Sequence, residues 1–81
     1  MNLEFAILTA LQRVDPRRLT EGACRGDAGA ILGEPVTISQ CRLALRNLEE
    51  RGQIIGFPNP DSGTKYWISD AGRKRLIEAE Q

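Results

Sequence analysis

The side chains best suited to chemistry fall in one short stretch. Ser39, Gln40, Arg42, Leu43 and Arg46 stand close together, and no acidic residue occurs from Thr37 to Leu48. Arg42 and Arg46 are four positions apart, so on a helix their guanidinium groups leave from the same side, one turn apart. A guanidinium is a planar fork of N–H donors that fits two phosphate oxygens or the O6 and N7 acceptors of guanine. Ser39 and Gln40 would lie near the start of that helix and offer a hydroxyl and an amide for hydrogen bonding. Leu43, between the arginines, adds an apolar side chain to the same stretch. The stretch carries a local charge of +2 and the chemistry of anion and base-edge recognition rather than of bond making. The bland alternative is a solvated helix in which Arg42 and Arg46 pair with Glu49 or Glu50.

Catalysis has little to work with elsewhere. The chain has no histidine, which removes the commonest general base and the partner that activates serine or cysteine nucleophiles. An enzyme is not expected. Cys24 and Cys41 form no CxxC pair, so they do not spell a zinc site and read instead as reduced, buried, small apolar residues. Gly22, Gly26, Gly29 and Gly33 follow no strand and make no phosphate cradle. No cofactor and no metal are expected. There is no apolar run of about 18 residues, and Met1-Asn2-Leu3-Glu4 lacks the basic opening of a signal peptide. The expectation is a cytoplasmic protein without a membrane partner.

Charge speaks against a broad basic field. Eleven basic side chains balance eleven acidic ones; residues 1–36 hold four basic and five acidic groups, residues 37–81 seven and six. A dedicated nucleic-acid binder usually shows an excess.

The elements that must position these residues are legible from period and punctuation. With 81 residues, 41% apolar and 27% charged, the chain has room for one core, so residues 1–81 are read as a single domain with a core contributing roughly 3–5 kcal/mol. Asn2 caps a first helix in which Leu3, Phe5, Ala6, Ile7, Leu8, Ala10, Leu11 and Val14 keep a helical rhythm, and Asp15-Pro16 ends it. Arg17 and Arg18 open a link. Thr20 caps a second helix with Leu19, Ala23, Cys24, Ala28, Ile31 and Leu32 as its apolar material. Its three glycines cost about 1 kcal/mol each, leaving open two short pieces or one helix held by packing.

After the turn at Gly33-Glu34-Pro35, Thr37 caps a third helix running to about Arg51. Cys41, Ala44, Leu45 and Leu48 fall on one side of it, Ser39, Arg42, Leu43 and Arg46 on the other. Gly52 is a left-handed stop. Residues 53–57 read as a strand, 58–63 as a hairpin tip and 64–68 as the return strand, with Tyr66 and Ile68 on one face and Lys65 and Trp67 on the other. Trp67 is expected half-buried against the last helix. That helix starts at Asp70 under a Ser69 cap, with Leu76 and Ile77 packed inward and Arg73, Lys74 and Arg75 solvated or free for phosphate. Leu45, Leu48, Ile54 and Ile68, joined by Ile7 and Leu11, should form the centre of the core.

Three helices, a glycine stop, a two-stranded β-hairpin and a short closing helix resemble the winged-helix form of the helix-turn-helix domain, an α+β fold. Leu48-Glu49-Glu50-Arg51-Gly52-Gln53-Ile54 resembles the join of recognition helix and wing in MarR- and PadR-type regulators. Tyr66-Trp67-Ile68-Ser69-Asp70-Ala71-Gly72-Arg73 resembles their return strand and the cap of the next helix. The likeness runs from about Val36 to Leu76. It implies that the helix from Thr37 to Arg51 enters a DNA major groove while the wing lies along the backbone or minor groove. The implied DNA-binding residues are Ser39, Gln40, Arg42, Leu43, Arg46 and Lys65. Two features depart from the pattern. The wing tip carries Asp61 and no cation nearer than Lys65, and no long helix after Leu76 offers a dimer interface, so a homodimer stays open.

Two functions follow. The first is a small DNA-binding protein, a transcriptional regulator of bacterial or phage kind whose partner is double-stranded DNA. The second is a winged-helix protein-interaction module, an adaptor or inhibitor that does not bind DNA and uses Leu43, Phe57 or Trp67 as anchors. A continuous positive stripe over Arg42, Arg46 and Lys65 would favour the first, a neutral apolar patch at Leu43 the second.

Overall fold

Asn2, Thr20 and Thr37 each accept a hydrogen bond from the backbone N–H three residues on, and these caps start the three helices that carry most of the core. The computed structural model describes residues 1–80. Its elements are α1 (Leu3–Val14), β1 (Leu19–Thr20), α2 (Glu21–Leu32), α3 (Ile38–Glu50), β2 (Ile54–Phe57), β3 (Lys65–Ile68) and α4 (Asp70–Glu80). This is the α+β, winged-helix arrangement that the resemblance implies.

Helix α1 is the central post. Ala6, Ile7, Leu8, Ala10 and Leu11 are all buried, a face too wide for a helix with only one neighbour. Helix α2 lies against it through Cys24 and Ala28. Despite its glycines α2 is one continuous helix ended by Gly33 at φ 73°, so packing offsets the weak propensity. Gly29 lets the chain fold back closely, since a Cβ there would stand 3.1 Å from the Glu34 carbonyl oxygen. Helix α3 buries Cys41, Ala44, Leu45 and Leu48, the side its periodicity marks. The expected core centre is complete: Ile7, Leu11, Leu45, Leu48, Ile54 and Ile68 are each at most 2% exposed.

The sheet is larger than the sequence indicates. Thr20 caps helix α2 as expected, but Leu19 lies outside that helix, and the two residues form a third strand, giving the antiparallel order β1-β3-β2 with Leu19 opposite Tyr66 and Thr20 opposite Lys65. Between β2 and β3, Ile54 faces Ile68 and Gly56 faces Tyr66, while Ile55 faces Trp67 and Phe57 faces Lys65. The burial of Ile54, Tyr66 and Ile68 marks the first set as inward, leaving Ile55, Phe57, Lys65 and Trp67 on the outer face. The inward register fits only because position 56 is glycine: a Cβ there would lie 2.9 Å from the Tyr66 ring.

The start of α4 is locked into the end of α3. Gly52 takes the left-handed conformation at φ 69°, and the Gly52 and Gln53 N–H groups donate back to the Glu49 and Leu48 carbonyls. Ser69 accepts from the Gly72 N–H, and its own hydroxyl donates to the Gly52 carbonyl. Gly72 is pressed against the Gln53 backbone, leaving no room for a side chain.

Two expectations for α4 fail. Ile77 is 57% exposed, because the inward face runs through Gly72 and Leu76 and Ile77 is about 100° round from it. Of Arg73, Lys74 and Arg75, only Lys74 is solvated as expected; the two arginines are part-buried. Arg73 pairs with Asp15 and Asp70, Lys74 with Glu78, and Arg75 with Glu4, while the Arg75 guanidinium also lies 4.5 Å from the centre of the Phe5 ring.

Both cysteines are free and buried. Burial, with smaller contributions from Cys41 and nearby carboxylates, pushes the Cys24 thiol from 9.0 up to about 12. Between those values the unfolded chain gives up the proton and the folded one keeps it, so stability is full below about pH 9 and falls as pH rises toward 12. Urea melts from pH 8 upward should show this decline, and Cys24→Ala should lessen it, leaving the part due to the likewise raised Cys41 and Tyr66. Leu48→Ala should cost about 2–5 kcal/mol in the same melts, since it leaves a cavity in a closed core; a variant that melts like the parent would mean the inward side of α3 is misassigned.

Candidate nucleic-acid interface

Helix α3 starts under a reciprocal cap, in which the Thr37 hydroxyl accepts from the Gln40 N–H and the Gln40 side-chain carbonyl accepts from the Thr37 N–H. With its inner side fixed by Cys41, Ala44, Leu45 and Leu48, the helical period turns Ser39, Leu43, Arg46 and Glu50 outward, flanked by Arg42 on one side and Gln40 and Asn47 on the other. Leu43 is 58% exposed, as its place opposite the core demands.

The candidate residues are not equivalent once placed. Ser39 is exposed with its hydroxyl uncommitted among the described residues, whereas half of the Gln40 amide is spent on the cap. Arg46 is exposed and makes no ion pair among the described residues. Arg42 does pair, with neither Glu49 nor Glu50 but with Glu21 at the start of α2, its Nε donating to both carboxylate oxygens at 3.1 and 3.2 Å. The +2 charge expected from the sequence is therefore partly cancelled by a residue on another helix. Lys65 lies on the outer face of the sheet, away from the side that Tyr66 turns toward α3. Arg42, Arg46 and Lys65 consequently do not form one continuous positive stripe.

Strand β1 supplies what the sequence reading misses. Arg17 and Arg18 precede it, and the Arg18 guanidinium stacks 4.1 Å from the centre of the Trp67 ring. Trp67 is indeed half-buried, but Arg18 covers its ring. The only sequence signal for this placement is a two-residue β-prone pair after a proline, too short to show a period.

Comparison with known proteins bears on the fold. No family model matches the chain, and no curated protein matches it in sequence. Solved structures do match in shape. RosR of H. salinarum superposes with a TM-score of 0.85 at 16% identity, over 99% of this chain and 70% of its own. PadR of Bacillus subtilis, solved in complex with operator DNA, superposes at 0.80 with 21% identity, over 96% of this chain and 46% of its own. A winged-helix DNA-binding protein from STIV superposes at 0.77 with 17% identity, over 94% of this chain and 80% of its own. The fold is a winged helix similar to that of PadR-type regulators.

The outward position of Leu43 has a direct test. Leu43→Glu should change stability by no more than about 0.5 kcal/mol, as surface substitutions away from special features do. A large loss in a thermal or urea melt would place Leu43 inside.

Proposed function

We propose that this chain is a non-catalytic, cytoplasmic DNA-binding regulator that acts as a single winged-helix domain and lays α3 in the major groove of a duplex. The observation that carries this reading is the outward side of α3, where Ser39, Leu43 and Arg46 stand exposed, on a fold shared with regulators that include an operator-bound PadR. Arg46 is the strongest single contact, able to grip guanine O6 and N7 or a phosphate through two parallel N–H bonds. Ser39 and the free N–H₂ of Gln40 reach backbone phosphates at the helix start, and Leu43 packs on a thymine methyl. Arg42 joins by exchanging the Glu21 carboxylate for a phosphate. Both are anions of similar geometry, so the exchange conserves the hydrogen bonds, and Glu21 holds the guanidinium in place until DNA arrives.

Fluorescence anisotropy of a labelled random-sequence duplex, titrated at several salt concentrations, tests the proposal. The parent should bind with a steep salt dependence. Arg46→Ala should lower the slope of log affinity against log salt by about 0.9, and Arg42→Ala with Arg46→Ala by roughly 2. Glu21→Gln should tighten binding by releasing Arg42. A parent that binds no duplex even at low salt would transfer the exposed side of α3 to a protein partner.

A further inference from the structure

Pairing leaves the free cations of this neutral protein unevenly spread. Arg42, Arg51, Arg73, Lys74 and Arg75 are paired with carboxylates, whereas Arg13, Arg17, Arg18, Arg25, Arg46 and Lys65 have no such partner among the described residues. Of these six, Arg17, Arg18 and Lys65 converge. Together with Pro16, Phe57 and Asn59 they line a groove of about 500 Å³ on the outer side of the wing. No acidic residue lines it, and Asp15, the nearest carboxylate in sequence, is turned toward Arg73.

The groove's apolar wall is Pro16 and Phe57, the latter 60% exposed. The Arg18 guanidinium carbon lies 4.1 Å from the centre of the Trp67 ring, and its N–H groups have no hydrogen-bond partner among the described residues, so they can bond outward. Like charges gathered against an apolar wall without a counter-ion repel one another, and an anion laid along them relieves that repulsion. Charge complementarity thus selects a polyanion over a neutral or basic protein segment. Position selects its form: α3 lies on the inner side of the wing, and a wing set in a minor groove has a sugar–phosphate strand on either side of it.

We infer that this groove is a second DNA contact, which holds the sugar–phosphate strand on the side of the wing away from α3. Arg17, Arg18 and Lys65 are its phosphate ligands, and Phe57 packs against a deoxyribose. The inference rests on the reading of α3 as the major-groove element and extends the footprint beyond it. It also answers the acidic wing tip, because the cations that a wing needs arrive from the link before β1 rather than from the hairpin itself.

The experiment compares Arg17→Ala with Arg18→Ala, Arg17→Ala alone, and Arg46→Ala, using the same labelled random-sequence duplex and a single strand of equal length. Circular dichroism melts of each variant establish folding. The double variant should lower the salt slope by roughly 2, Arg17→Ala alone by about 0.9, and the loss should add to that of Arg46→Ala. Arg17 is exposed and its side chain has no hydrogen bond or ion pair among the described residues, so a reduced slope there cannot come from unfolding. Loss of binding in Arg46→Ala with an unchanged slope in the Arg17 variants would overturn this inference and leave the role of α3 intact. Absence of any duplex binding by the parent would overturn both. Equal binding of the single strand, with the same loss in the Arg17 variants, would overturn the duplex assignment in favour of a strand-binding groove.

Discussion

The surfaces of this molecule are aimed by one hydrogen-bonded corner. Ser69 ties the end of β3 to the backbone just past α3, with its N–H donating to the Gln53 carbonyl and its hydroxyl to the Gly52 carbonyl, while it caps α4 through the Gly72 N–H. Three elements therefore leave one point in directions set by main-chain geometry, and only a left-handed Gly52 and a bare Gly72 allow the approach. The angle between α3 and the wing is consequently a property of the backbone. Side chains on either can vary without changing how far apart the two reach, which is how one scaffold serves many binding sequences.

Electrostatics here works by subtraction. Equal numbers of acids and bases sum to no net charge, yet the pairing is selective. Glu4 holds two guanidinium groups, Arg51 at the end of α3 and Arg75 on α4, and so joins three helices through one carboxylate. Exposed pairs of this kind contribute little stability one by one. Their larger effect is on the charge left over: cations tied up around α4 and the α1 start cannot attract a polyanion there, while Arg46 and the outer-wing cluster remain available. Total charge is a poor guide to a surface whose charges cancel locally.

How much of this was legible in the sequence depends on the range of the interaction. The inner sides of α1 and α3, the glycine stop at Gly52 and the Ser69 cap are written in residues close together, where a 3.6-residue period or a single cap decides the outcome. Strand β1 is not, because two residues cannot display alternation and Leu19 serves a helix or a strand equally well until Tyr66 is placed beside it. The pairing of Arg42 with Glu21, and of Arg73 with Asp15, spans distant chain positions and leaves no local mark. The candidate site divides the same way. The exposure of Ser39, Leu43 and Arg46 follows from the helical period alone, whereas the partial loss of Arg42 to Glu21 and the arrival of Arg17 and Arg18 beside the wing required the tertiary fold.

Strand β1 carries a kinetic consequence. Its two residues join the sheet only across a contact between the early and late parts of the chain, so closing it costs the entropy of a long loop while gaining few hydrogen bonds. Opening β1 alone gives up few bonds, so its amides are expected to exchange with solvent at a free energy below that of global unfolding. When it opens, Arg18 leaves the Trp67 ring, and of the groove's cations only Lys65 keeps its place on β3. The electrostatic shape of the wing thus depends on how firmly a two-residue strand stays paired.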